Sequence, residues 1–302
     1  MAAREMVEKP KVRRFHFFTQ KAGSRVSRST SGDLGVLIFL LIMGALMAIP
    51  LYFSIVQSLK PSDELFMFPP RLYVRNPTSQ NYADLFRLMS GSWIPFSRYI
   101  FNTVMITGVG TFGHIILASL AAYPLAKYVF PGSKAFSKMV VFSLMFNATV
   151  TTIPGYIVMA TLGWIDTYWS LIVPAFGMSL GLYLMQSFMY DLPDALFDAA
   201  KIDGAPERVI FWKIVMPNVK SAWLTLMIFS VQSLWNINNG MYIYSEPLKT
   251  LPYAISQIVS GGIARAGASA AASVIMMIVP IVVFVISQSN VIETMAKSGI
   301  KE

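Results

Sequence analysis

A chain of 302 residues that is 55% apolar and only 13% charged, with a mean hydropathy of +0.57, is too apolar for a soluble domain. The absence of cysteine excludes disulfides, thiol nucleophiles and thiolate metal sites. The net charge of +9 lies between apolar runs rather than in one basic patch, which argues against nucleic acid as a partner. Residues 1–33 form a basic tail, and the apolar run after it is too long for a signal-peptide core and lacks a small-residue cleavage site, so it is read as retained. Six runs free of charged side chains then follow: Leu34 to Leu59, Tyr99 to Ala126, Met139 to Ile165, Thr167 to Tyr190, Ser221 to Ser245 and Ala266 to Ile292. Each exceeds the ~20 residues that a helix needs to cross ~30 Å of hydrocarbon. The expected fold is all-α and polytopic, with six transmembrane helices in a membrane domain over 34–292 and a short tail over 293–302.

The basic residues orient these spans. Segments 1–33, 127–138, 190–220 and 293–302 carry eight, three, four and two of them, whereas segments 60–98 and 246–265 carry five and two. By the positive-inside rule both termini and residues 190–220 are expected in the cytoplasm of a bacterial or archaeal cell, with the chain in its inner membrane. Segment 60–98, rich in proline and mixed charge, reads as an ordered outer loop. The lone Asp166 beside Gly163 marks a short hinge between the third and fourth runs.

The most informative stretch is Asp198-Ala199-Ala200-Lys201-Ile202-Asp203-Gly204-Ala205, followed by Ile214-Val215-Met216-Pro217. Pro193, with Asp191 and Asp194, suits a helix start, and Gly204 suits its left-handed exit. Pro206 and Glu207 open a second short helix that Pro217 is expected to close. Leu192, Ala195, Leu196, Ala199 and Ile202 fall on one helical face, fit to dock against another surface. An amphipathic helix lying on the membrane is the competing reading, but residues 190–220 hold five acids against four bases, a balance that suits a protein partner better.

This order of residues resembles the coupling loop of the binding-protein-dependent ABC importer permeases, with Asp198 where that family usually has Glu. The segment from Ser58 to Tyr82, the Leu162 to Tyr168 hinge, Leu234-Trp235-Asn236, Thr250-Leu251-Pro252 and the carboxyl tail resemble the MalG-like carbohydrate members. The resemblance implies a cytoplasmic coupling loop over 190–220 in which Asp198, Ala199, Ala200, Asp203, Gly204, Ala205, Ile214 and Pro217 meet an ATPase. It also implies a second, related permease chain, two ATPase subunits carrying the ATP and magnesium, and an extracytoplasmic solute-binding protein. Permeases for peptides, amino acids or phosphate share the loop, and an ion-coupled secondary transporter is the reading from another class; against it, no intramembrane carboxylates or inverted repeats are evident.

Other motifs carry less. Gly108-Val109-Gly110-Thr111-Phe112-Gly113 matches a dinucleotide fingerprint, but it is mid-membrane and no acid follows it before Asp166, so its small residues are read as contact points for a neighbouring helix. No phosphate-cradling loop, catalytic triad or metal cluster is present in the sequence, so the chain is not expected to be an enzyme or to hold a cofactor. His114, the one ionisable side chain within the runs, is expected to be neutral and hydrogen-bonded to a neighbouring helix, with a proton site as the alternative. Asn147 and Thr151 share a helix face and could line a sugar path or join helices. Gln232, Trp235, Asn236, Asn238 and Asn239 combine amides with an indole, fit for a pyranose face or for an interfacial helix end.

Overall fold

The computed structural model describes residues 30–91, 93–146 and 148–298, which form helices and loops without a strand. The chain divides into two compact units, one up to Leu51 and one from Tyr52 onward. Most of α1 (Thr30–Leu59) belongs to the first, where its apolar side chains from residue 32 to 51 are exposed, as suits a helix bathed in lipid.

In the second unit, α2 (Ser62–Leu65) and α3 (Gln80–Ser90) frame the expected ordered loop. The Glu64 carboxylate accepts the amides of Arg75 and Asn76 at 3.1 and 3.0 Å, Lys60 Nζ donates to the Arg71 carbonyl at 2.6 Å, and Asn81 Nδ2 donates to the carbonyls of Ser58 and Lys60. Backbone groups that no helix satisfies are thus paired by side chains.

The 32-residue α4 (Phe96–Lys127) is the central helix. It packs against α7 (Trp169–Phe176), α8 (Ser179–Tyr190) and α12 (Lys220–Trp235). Two of its three run glycines serve that closeness: a Cβ on Gly110 would sit 2.7 Å from Leu234, and one on Gly113 would sit 2.2 Å from the Phe176 ring, whereas Gly108 faces open space. His114 is buried, with Nδ1 2.8 Å from Ser230 Oγ and Nε2 3.2 Å from the Met178 carbonyl. A carbonyl only accepts, so Nε2 carries the proton, and the ring joins α4 to Ser230 of α12 and to Met178 at the start of α8.

The helices long and apolar enough to cross a membrane number four among the described residues: Gly32–Leu59, Phe96–Lys127, Trp169–Tyr190 and Ala266–Gln288. The last belongs to α14 (Ala266–Ser298), and a fifth arises if the bent pair Glu207–Asn218 and Lys220–Trp235 is one span. The third expected run is not one helix. It is divided into α5 (Ser133–Ser143) and α6 (Ala148–Thr161), because the chain leaves α5 through three successive i→i+3 turns at Leu144, Met145 and Phe146 and enters a β-branched stretch of low helix propensity. The fourth run is interrupted at Gly177 and Met178, where the backbone of Met178 is extended. The fifth stops at Trp235, ten residues short of Ser245, because Asn236 turns back to the Gln232 carbonyl and Asn238 Oδ1 accepts the Gly240 amide, both local bonds that compete with the helix. Beyond it lie a 3₁₀ turn (Glu246–Leu248), α13 (Leu251–Val259) and a second 3₁₀ turn (Ile263–Arg265).

Candidate functional site

Residues 190–220 fold as two arms around one turn. The first arm is α9 (Asp194–Ile202), with extended Pro193 at its start, Asp194 in its first turn and Lys201 in its last, charges that suit the helix dipole. At its end Gly204 adopts φ +70°, its amide donates to the Lys201 carbonyl and the Ala205 amide to the Ala200 carbonyl, both at 3.0 Å. This is a Schellman arrangement, and it sets the angle between the arms.

The second arm runs from Pro206 through α10 (Glu207–Val209), a π-helical turn (Ile210–Val215) and α11 (Met216–Asn218), then bends by 75° into α12. Contrary to expectation Pro217 does not close this helix, which continues to Asn218. The wide turn before it relieves the contact that a proline ring makes with the carbonyl four residues earlier.

The arms have a clear inside and outside. Phe197, Ala200, Ile210, Phe211 and Val215 are buried in one apolar cluster with Tyr123, Met185, Met189 and Leu226. Asp198, Ala199, Asp203, Gly204 and Pro217 are exposed, Ala205 and Ile214 are half-buried, and Ile202 is 86% exposed. Of the eight residues singled out in the sequence, Ala200 is buried in the chain's own core and Ala205 and Ile214 pack against it, which leaves the other five facing outward. Leu196, Ala199 and Ile202 leave an uncovered face of apolar side chains beside Asp198.

What holds the arms was not foreseen. The end of α4 grips both. Lys127 Nζ donates to the Leu192 carbonyl at 2.6 Å and to Asp194 Oδ1 at 2.9 Å, and lies 5.0 Å from the centre of the Phe197 ring. Tyr123 donates its phenol to Glu207 Oε2 at 2.7 Å, and Tyr128 donates to Glu207 Oε1. Those two bonds, that of Tyr128 first, hold the Glu207 carboxyl below the usual carboxylate range.

The proposed solute-path residues separate. Asn147 lies outside the described residues, and Thr151 is exposed on α6. Gln232, Asn236 and Asn238 are exposed. Trp235 is buried, donating Nε1–H to the Met276 carbonyl at 2.9 Å and so tying α12 to α14, and Asn239 is buried against Leu248 and Thr250, tying the loop after α12 to the start of α13. Asp166, read only as a hinge, takes φ +59° and accepts the amides of Tyr244 and Ser245 at 2.9 and 2.8 Å and the Ser245 hydroxyl, stapling the turn between α6 and α7 to a distant loop.

Comparison with known proteins gives the chain its class, the inner-membrane component of a transport system. Residues 114–297 match the family described as binding-protein-dependent transport system inner membrane component, more than half of the chain, and the protein belongs to that family. It is similar to protein LplC of Bacillus subtilis (strain 168), 32% identical over 204 residues that span 68% of this chain and 67% of that one. The polygalacturonan/rhamnogalacturonan transport system permease protein YtcP of the same organism is 29% identical over 70% of this chain and 72% of its own. The sn-glycerol-3-phosphate transport system permease protein UgpE of Yersinia enterocolitica is 30% identical over 65% and 71%. A chain of a bacterial ABC transporter involved in the import of the acidic polysaccharide alginate has the same fold, with a TM-score of 0.72 at 20% identity over 88% of this chain and 99% of that one.

Proposed function

We propose that the protein is the permease subunit of an ATP-driven, binding-protein-dependent importer of oligosaccharides or other carbohydrates. The observation that carries this reading is the two-armed loop, whose uncovered face holds Leu196, Asp198, Ala199 and Ile202 while its inner face is fixed to the rest of the bundle. An ATPase subunit seated on that face can push the loop, and the Gly204 turn delivers the push to both arms. Asp198 supplies a polar contact and Ala199 a close one, whereas Ala200, Ala205 and Ile214 keep the arms rigid from within. Coupling of this kind needs an element with two arrangements that both the ATPase and the solute bias.

In this reading the bundle crosses six times, α5 with α6 forming a broken third crossing and α12 a short fifth, and both termini with the loop lie in the cytoplasm. A second, related permease chain completes the path, two ATPase subunits supply ATP and magnesium, and an extracytoplasmic binding protein delivers the solute. The chain itself needs no cofactor. A carbohydrate cargo is supported by the relative named for polygalacturonan and rhamnogalacturonan and by the alginate importer of the same fold. The transporter of that fold solved with a pentasaccharide-loaded periplasmic protein supports the delivery step. A second reading, a polyol phosphate cargo, is favoured by the similarity to the sn-glycerol-3-phosphate permease.

The test is uptake by the reconstituted complex with its cognate binding protein, offered neutral oligosaccharides, uronic-acid oligosaccharides and glycerol phosphate in turn. ATP-dependent uptake of a saccharide is expected. Uptake of glycerol phosphate alone would select the second reading, and uptake without ATP under an ion gradient would reject both.

A further inference from the structure

The grip that the end of α4 exerts on the 190–217 loop has a counterpart at the opposite end of the same helix. Tyr99 donates its phenol to Glu246 Oε1 at 2.7 Å. Asn102, fully buried, donates Nδ2 to the carbonyls of Pro247 and Lys249, both at 2.8 Å, and accepts the Tyr168 hydroxyl at 2.7 Å. Thr103 Oγ1 accepts the Leu251 amide at 2.8 Å, and Arg98 Nε donates to the Pro247 carbonyl at 3.2 Å. Lys249 closes the group with an ion pair to Glu246 at 2.8 Å. Residues 246–251 are therefore fastened to α4 by four consecutive-turn side chains, and nearly every one of those bonds is made to backbone or to a carboxylate.

Between Tyr99 and Tyr123 the helix rises ~36 Å at ~1.5 Å per residue, enough to cross the hydrocarbon layer. Along that length it is kept from sliding by Gly110 against Leu234, Gly113 against Phe176 and His114 against Ser230 and Met178. A helix fixed at both ends to loops, with close contacts between, moves as one body.

We propose that α4 is the strut that links the 246–251 segment to the 190–217 loop, so that docking of a solute-loaded binding protein at the former is felt by the ATPase at the latter. This rests on the coupling role proposed above. Tyr99, Asn102 and Thr103 at one end and Tyr123, Lys127 and Tyr128 at the other are positioning residues for the transport cycle; none touches solute or nucleotide.

The experiment uses the complete complex in lipid nanodiscs, with ATPase rate read in the absence and presence of loaded binding protein. Tyr99→Phe is expected to leave the unstimulated rate unchanged and to lower the stimulation about tenfold or more, the effect of one lost hydrogen bond to a charged partner. Glu246→Gln, which keeps an acceptor for Tyr99, is expected to lie closer to the wild type than Glu246→Ala. Tyr99→Phe combined with Tyr123→Phe is expected to be no worse than the weaker single variant, because a strut cut twice transmits no less than one cut once. Multiplying effects would make the ends independent and overturn the strut, as would unchanged stimulation in Tyr99→Phe and Glu246→Ala, or an equal fall in stimulated and unstimulated rates. A wild-type chain that retains no ATPase subunit on purification would instead remove the coupling role beneath the proposal.

Discussion

Lys127 and Asp194 meet at 2.9 Å across 67 residues of chain, yet the ion pair is the lesser part of what the lysine does there. Asp194 is 84% exposed at its side chain while Lys127 is only 9% exposed. A pair so placed is worth at most about 1 kcal/mol. The Leu192 carbonyl, 2.6 Å from the same ammonium, has no helix partner, because the chain turns at Pro193.

The two side chains should therefore respond differently to substitution. Asp194→Asn is expected to change stability by less than about 0.5 kcal/mol. Lys127→Met keeps the apolar stem over Phe197 but leaves the Leu192 carbonyl unpaired, and is expected to cost about 1–3 kcal/mol. Thermal melting of the detergent-purified chain measures both, and equal losses would show that the ion pair dominates after all.

Glu207 gives the loop a dependence on pH. Its carboxyl is held low by the phenols of Tyr128 and Tyr123, so the folded value lies below the unfolded one of about 4.3. The resulting stability is fully present above that unfolded value and is lost as pH falls through the lowered folded value. Glu207→Gln is expected to be less stable than the wild type near neutrality and to approach it below about pH 4, where the wild type loses its carboxylate. Fluorescence of Trp212, 46% exposed on the second arm, reports the transition, and parallel pH profiles would exclude Glu207 as the source.

Charge-free runs and turn residues made much of this fold legible, and pairings distant in sequence were hidden. Runs such as Tyr99 to Ala126 state the cost of leaving lipid, and α4 follows them closely. Gly204 states a backbone angle, and the turn is there. A charge-free run says nothing of whether its backbone stays helical, so the breaks at Leu144 to Phe146 and at Gly177 passed unseen. Nor does helical spacing reveal that Tyr123 meets a carboxylate 84 residues away, or that the Asp166 carboxylate accepts the amide of Ser245 79 residues on. Ala200 and Ala199 are adjacent and alike in sequence, and the turn of α9 separates them: Ala199 shares the exposed face of Leu196 and Ile202, whereas Ala200 joins Phe197 in a core most of whose other members come from distant helices.

Two glycines of the bundle should behave oppositely. A Cβ on Gly181 would lie 2.2 Å from His114 Nε2 and 2.7 Å from Leu226, and the imidazole cannot step aside while Ser230 and Met178 hold its two nitrogens. Gly181→Ala is expected to cost about 1–3 kcal/mol. Gly108, with nothing near its Cβ position, is expected to tolerate alanine or to gain up to about 1 kcal/mol from lower chain entropy. Melting temperatures of the two variants check the contrast, and a tolerated Gly181→Ala would mean that the helices there part easily.

Gly204 tests whether the turn between the arms is governed by conformation or by space. Its φ of +70° suits few residues, but no atom lies within 4 Å of the Cβ it lacks. The cost of replacing it is therefore that of the left-handed backbone, about 1–2 kcal/mol for ordinary residues, less for asparagine and more for β-branched ones. Transport by the reconstituted complex is expected to fall in the order Gly204→Asn, Gly204→Ala, Gly204→Val, so that asparagine outperforms the smaller alanine. Insertion of the chain should be unchanged in all three, because the apolar core of the arms is untouched. An order that follows side-chain volume instead would mean that a docked partner, rather than the backbone angle, requires glycine at this position.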